Sequence, residues 1–361
     1  MVRTEALIEA DRLMTVCNSC RYCEGLCAVF PAMELRRDFA EGDLNYLANL
    51  CHSCGACYYD CQFSPPHEFA VNLPMALAAV RADSFSTYAW PGALAPLFAR
   101  NGLAVAVIAA ASMAGFLLAL GGAKADSFYG VMRHNVMAWL FGAVFLYAIL
   151  ALVMGVRAFW RDSSKTIVAG ANPKALWQAV KDAGSLRYLD GGGIGCYNEG
   201  DQPRDRRKHS HHATSYGFFL CFAATSVATL YHYLLGREAP YPWWDLPVLL
   251  GTAGGIGLVI GPIGLLVAKF RRDPVLRDGA RLGMDVGFLA MLLATALTGL
   301  ALLVLRGTGA MPMLLALHLG VVFALFLTMP YGKFVHGIYR FVALVRYARE
   351  RQMLEVGEIE A

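Results

Sequence analysis

The sequence predicts an all-α protein in two parts, a cysteine-bearing helical domain over residues 1–98 and a six-helix transmembrane bundle over 99–361. Three observations predict it. Eight of the ten cysteines fall in two quartets of identical spacing within the first 61 residues. From Leu103 onward, apolar runs of membrane-spanning length recur. Hydrophobic residues make up 57% and charged residues 16%, where a soluble domain would carry about a quarter charged.

The bounds also exclude. A net charge of +4, with no stretch interleaving basic and aromatic residues, does not suit a nucleic-acid partner. Residues 1–16 mix acids and bases and lack the apolar h-region of a signal peptide, so the N-terminus is expected in the cytoplasm. Thiols in a reducing compartment are expected as metal ligands rather than disulfides.

The quartets are Cys17-x2-Cys20-x2-Cys23-x3-Cys27 and Cys51-x2-Cys54-x2-Cys57-x3-Cys61. Both carry the spacing of ferredoxin-type 4Fe–4S sites. Three thiolates two residues apart reach three corners of one cubane, while the fourth leads away toward a neighbour. Cys17, Cys20, Cys23 and Cys61 are therefore expected on one cluster, and Cys51, Cys54, Cys57 and Cys27 on the other. Zinc takes paired C-x2-C units more often than quartets. Gly55 lets the backbone approach closely. The proline that usually follows the fourth cysteine is replaced by Ala28 and Gln62. Between the quartets the pattern reads as helix, a break at Gly42, then a helix with Leu44, Leu47 and Leu50 on one face. No strand alternation is visible there. An α-helical ferredoxin, as in quinone-reductase iron–sulfur subunits, fits better than the βαβ form.

Six spans of about 20 apolar residues are expected, at roughly 103–121, 135–156, 213–235, 246–268, 284–305 and 311–329. Segments 157–212, 269–283 and 331–361 hold ten, five and five Lys/Arg, against two, one and one in 122–134, 236–245 and 306–310. This bias places both termini, and both clusters, on the cytoplasmic side of a bacterial inner membrane. In the long loop 157–212, Asn172-Pro173 reads as N-cap and first helical residue of an amphipathic helix over 174–189. The glycine- and charge-rich stretch that follows reads either as a solvated loop or as a docking surface for a flavoprotein or the cluster domain. The glycines of the fourth span, from Gly251 to Gly264, read first as plain helix packing.

Histidine within a membrane is costly and usually functional. His318 lies in the sixth span, and His336 just beyond its cytoplasmic end, 18 residues or about 27 Å along. On the antiparallel third span, His211 and His212 match His336 in depth, and His232 matches His318. One or two bis-histidine haems b would fit across the bilayer. No C-x-x-C-H occurs, so covalent haem attachment is not expected. His209 reads as a headgroup-region residue. His134, beside Arg133, reads as interfacial and is the rival to His232. His52 and His67 read as local to the clusters, and Cys196 and Cys221 as non-ligands. The absence of acids mid-span argues against a transporter, while a cluster-based sensor would lack haem.

The segments CNSCRYCEGLC, LCHSCGACYYDC, GCYNEGDQPRDRRKHSHHATSYGF and YGKFVHGIYR resemble the tricarballylate- and citrate-utilisation protein B family over essentially the whole chain. The membrane part is similar in layout to the dihaem gamma subunit of respiratory nitrate reductase. The resemblance implies an FAD-dependent dehydrogenase as partner, one that oxidises tricarballylate to cis-aconitate, and membrane quinone as acceptor. The unit also resembles the C-terminal half of a fused cobalamin-synthesis protein, which gives an alternative flavoprotein partner. No Rossmann glycine fingerprint occurs, so the flavin is expected on another chain.

Overall fold

The computed structural model describes residues 3–119, 127–167, 170–189, 206–277, 279 and 282–359. Among these residues no strand occurs.

The cysteine-bearing part is built from five helices, α1 (Glu5–Cys20), α2 (Val29–Glu34), α3 (Glu41–Leu50), α4 (Ala56–Tyr59) and α5 (Leu73–Thr87). Thr4 caps α1 by accepting from the Leu7 N–H, and α1 ends where Arg21 turns left-handed at φ 54°. Leu13, Met14, Phe30, Met33, Leu44, Leu47, Leu77 and Val80 close the core. Their burial is the main stabilising term, about 1.5–3 kcal/mol for each large apolar side chain.

Gly42 does not break the chain between the quartets. It lies inside the first turn of α3, and the break falls earlier, between α2 and α3. A glycine is needed there because a Cβ would overlap the backbone carbonyl oxygen of Asp162. The constraint is tertiary, and helical periodicity does not carry it.

The membrane part comprises α6 (Ala95–Ala119), α7 (Phe128–Val131), α8 (His134–Ser163), α9 (Pro173–Gly184), α10 (Arg206–Leu235), α11 (Leu246–Arg271), α12 (Leu282–Leu305), α13 (Met311–Thr328) and α14 (Val335–Glu355). Five of these, α8 and α10 to α13, are long and apolar enough to cross a membrane. A sixth candidate joins Gly92–Phe98 to Leu103–Ala119 across a 96° bend. These apolar helices are consistent with a helical membrane protein.

Helices α10 and α11 approach closely because their contact is lined with glycine. A Cβ at Gly254 would sit 2.7 Å from the Cys221 sulfur, and one at Gly257 2.8 Å from the Ala213 carbonyl. The glycines of the fourth span therefore serve helix packing. Between α8, α10 and α13 the contact is aromatic, with Phe145 against both Phe222 and Phe326.

Helix α9 begins as its sequence requires, with the Asn172 side chain accepting from the Ala175 N–H at 2.7 Å. It ends at Gly184, short of residue 189. Helix α14 is no span. It carries Arg340, Arg346, Arg349 and Arg351 and lies back on the cysteine domain, burying Val342, Ala343, Leu344 and Val345. One apolar core therefore runs from α1 through α3 and α5 into α8 and α14. The cysteine domain meets the ends of α8, α10 and α11 that adjoin the cation-rich segments.

Candidate metal centres

The two quartets interleave in space. One partly open recess, about 430 Å³, is lined by Cys17, Cys20, Cys23, Cys57 and Cys61, with Val16, Phe30 and Phe63 among its apolar walls. A second, about 440 Å³, is lined by Cys27, Cys51, Cys54 and Cys57, with Leu77 and Tyr188. Each fourth cysteine has crossed to the other quartet's recess. The first recess lies beside exposed Tyr22, the second beside the buried Cys51–Ser53 loop.

Backbone geometry shapes the second recess. Gly55 has φ 98°, a conformation that L side chains rarely adopt, and starts α4. Ser53 turns left-handed at φ 48°, and its N–H points at the Cys51 sulfur at 3.3 Å.

The donor set fits an iron–sulfur group better than a single ion. Among the described residues no three His, Cys, Asp or Glu side chains converge on one ion. A zinc ion would draw thiolates to about 2.3 Å from one centre. Here the sulfurs instead surround a volume with apolar walls. Burial and neighbouring thiols push Cys17 up to about 12 and Cys23 up to about 11, and raise Cys27 and Cys57 also. Thiolates crowded in such a recess need a cationic core to hold them ionised, and loading one releases protons.

Sequence reading passed over the arginines around the second recess. Arg81 donates to the carbonyls of Cys51 at 2.6 Å and Ala48 at 3.3 Å, and to the Ser53 hydroxyl at 2.9 Å. Arg340 donates to Cys51 at 2.7 Å and Asn49 at 3.3 Å. Arg207 donates to His52 at 3.1 Å and Ser53 at 3.3 Å, and Arg272 to Ser53 at 2.8 Å. Arg272 and Arg340 enter the sequence reading only as segment charge, while Arg207 lies in the stretch that also reads as a docking surface for the cluster domain. His52 is buried beneath them, and burial and their charge hold it neutral, well below the ordinary histidine range. His67 packs with Phe63 and Phe69.

The histidines sort into three places. His211 and His336 face each other with ring centroids 6.2 Å apart and planes at 71°. Imidazoles on opposite sides of one metal, each bonded at about 2 Å, have centroids about 6 Å apart. The His336 Nδ1 is engaged by the Lys333 carbonyl at 2.5 Å, which leaves Nε2 available. The His211 Nδ1 is buried without a hydrogen-bond partner among the described residues. His212 turns away, its Nε2 on the Gly184 carbonyl at 3.1 Å. His318 lies between α12 and α13, with Nδ1 3.0 Å from the Thr298 hydroxyl and its ring against Gly299. His232 stacks on His134, centroids 3.4 Å apart, and both Nδ1 atoms are buried without partners among the described residues. The structure thus sets His232 beside His134, which the sequence had read as its rival. Cys221 packs on Gly254. Cys196 and the stretch 190–205, the main part of the expected docking loop, lie outside the described residues.

Comparison with known families matches residues 93–356 to citrate utilization protein B and residues 10–87 to the Fer4-like domain of citrate utilization protein B. The citrate utilization protein B of Escherichia coli is 50% identical over 360 residues, covering 97% of this chain and 94% of that protein. No solved structure matches the chain. The cysteines at 17–61 thus lie within a Fer4-like domain, whose donor set suits iron–sulfur binding. By the match along nearly its whole length, the chain belongs to the citrate utilization protein B family.

Proposed function

We propose that this chain is a membrane electron carrier in citrate or tricarballylate utilisation, taking electrons from the reduced FAD of a partner dehydrogenase and delivering them to the quinone pool of the bacterial inner membrane. Cys17, Cys20, Cys23 and Cys61 hold one 4Fe–4S cluster, and Cys27, Cys51, Cys54 and Cys57 the other. His211 and His336 hold a haem b. A second haem would draw on His318 and His232, with His134 as alternative to His232. When bound, these groups supply one-electron acceptance and release, which a flavin's two-electron chemistry requires of its partner.

The observation that carries this reading is the order of sites. The first recess opens near solvent at Tyr22, where a flavoprotein can dock. The second lies under the Cys51–Ser53 loop, which Arg340 grips from α14, one turn beyond His336. The apolar recess walls limit the access of water to the thiolates. The Ser53 N–H orients on the Cys51 sulfur, and the Lys333 carbonyl fixes the His336 ring. The twenty Lys/Arg of segments 157–212, 269–283 and 331–361 support a cytoplasmic position for the cysteine domain and both termini. We divide the chain at residues 1–98 and 99–361, with six spans in the second part.

The test is detergent-purified protein prepared without oxygen. About eight iron and eight acid-labile sulfide per chain are expected, with a b-type band on reduction. Tricarballylate with its flavoprotein should then reduce that band, and quinone should reoxidise it. Absence of iron and sulfide overturns the reading. Clusters without any haem band would make the chain a cluster-based sensor instead.

A further inference from the structure

The Cys51–Ser53 loop is gripped by arginines from four different elements. Arg81 comes from α5, Arg207 from the start of α10, Arg272 from just beyond α11, and Arg340 from α14. Their targets are backbone carbonyls and one hydroxyl, which carry no full negative charge. Among the described residues no carboxylate lies within ion-pair distance of Arg81, Arg272 or Arg340. The nearby acid Asp285 is already shared by Lys269 and Lys333. A guanidinium stays protonated in a protein, so each of these arginines keeps its positive charge. The first recess is surrounded differently. Asp60 lies near Cys23, and Arg21 and Glu24 are exposed to solvent, where water screens them.

We infer that Arg81, Arg272 and Arg340 make the site of Cys27, Cys51, Cys54 and Cys57 the stronger electron acceptor of the two, and so direct electrons from the solvent side toward the membrane. The inference rests on the two-cluster reading above. Adding an electron adds one negative charge, and the buried Arg81 with the half-buried Arg272 and Arg340 stabilises that charge more than solvent-exposed cations do. One electron passing inward oxidises the site of Cys17, Cys20, Cys23 and Cys61 and reduces the inner one. No bond forms or breaks, no proton moves, and the arginines stay protonated. The donor at the outer end is the reduced flavin of the partner.

An EPR-monitored redox titration of the full-length, detergent-purified protein tests this. The Cys27→Ser and Cys61→Ser variants assign each signal to its site. In wild type the inner site should reduce first. Arg340→Gln should weaken electron uptake at the inner site about tenfold, or about 59 mV for a one-electron couple, and leave the outer site unmoved. Arg340→Lys, which keeps the charge, should restore most of that shift. Arg272→Gln carries the same expectation and serves if Arg340→Gln does not load iron. Potentials that ignore both glutamine variants, or an outer site that reduces first in wild type, overturn the inference while the clusters stand. Wild-type protein without iron and sulfide overturns the two-cluster reading, and the inference with it.

Discussion

Replacing Glu350 by Gln should loosen the cysteine domain from the rest of the chain. Glu350, on α14, is fully buried and joins three parts of the molecule. Its carboxylate takes Arg36 at 2.6 Å, Arg346 at 2.8 Å and the Tyr46 hydroxyl at 3.0 Å, while Arg36 also holds Asp43 at 2.6 Å. The network contains two cations and two anions, none more than 1% exposed, so it is neutral as built. Gln keeps an acceptor for Tyr46 but leaves one positive charge uncompensated in the core. Breaking a buried pair this way costs about 3–5 kcal/mol, and the retained acceptor places this case near the lower end. With a urea slope of about 1–3 kcal/mol per molar, the unfolding midpoint should fall by about 1–3 M. The assay is urea unfolding in a fixed detergent concentration, followed by tryptophan fluorescence. Restoring neutrality with Arg346→Met in the same chain should recover part of the loss, because Arg36–Asp43 then stands as a balanced pair. A Glu350→Gln protein within about 0.5 kcal/mol of wild type, or a double variant weaker than the single one, would refute charge balance as the reason.

Other outcomes follow from the same geometry. Gly42→Ala should cost about 1–3 kcal/mol by overpacking α3 against the Asp162 carbonyl, read in the same unfolding assay. His211→Ala and His336→Ala should each abolish a b-type absorbance band that His212→Ala keeps, since His212 is spent on the Gly184 carbonyl; an equal loss in all three removes the assignment. His318→Ala should remove b-type absorbance without touching the cluster signals, and an unchanged band excludes it as a ligand. Cys61→Ser should disturb the signal lost in Cys17→Ser, not the one lost in Cys51→Ser, because Cys61 lines the first recess.

What the sequence made legible was local or periodic. The thiol spacing is a matter of reach along a few residues, and it anticipated the crossing of Cys27 and Cys61 between recesses. Apolar run length led to six expected spans, of which five are long apolar helices and the first a bent candidate, and Asn172-Pro173 announced α9. Depth arithmetic on antiparallel helices set His336 level with His211 and His212, but it could not choose between them. That choice depends on side-chain direction, which turns His212 to Gly184 and His211 to His336. The same arithmetic set His232 level with His318 and read His134 as its rival, and lateral position brings His232 and His134 together. Gly42 was misread because its reason lies 120 residues away at Asp162. Arg81, Arg272 and Arg340 at the Cys51–Ser53 loop were illegible for a like reason: each is an ordinary basic residue in its own segment, and only the fold assembles them.

The contact between the cysteine domain and the remainder of the chain holds two buried polar networks, and their contrast separates structure from function. Around Glu350 every cation has an anion within 2.8 Å, so the network adds no net charge to the core. Such a cluster fixes how α14 lies on α2 and α3 and has little influence on a distant charge. Around Cys51–Ser53, Arg81, Arg272 and Arg340 meet carbonyls, and among the described residues no carboxylate pairs with them. Stability alone does not explain this second arrangement, because buried unbalanced charge is costly and neutral donors could satisfy the same carbonyls. A stable anion beside Cys51 and Cys54 would account for it, and on the proposed reading thiolates around an iron–sulfur core would supply one. The cost of gathering those arginines is then offset only when the recess is loaded. Domain docking should therefore tighten with iron content: protein stripped of iron should expose the Cys51–Ser53 loop to protease, while the Glu350 network still holds α14 in place. Equal protection of the loop in loaded and stripped protein would show that the carbonyl contacts suffice without the anion.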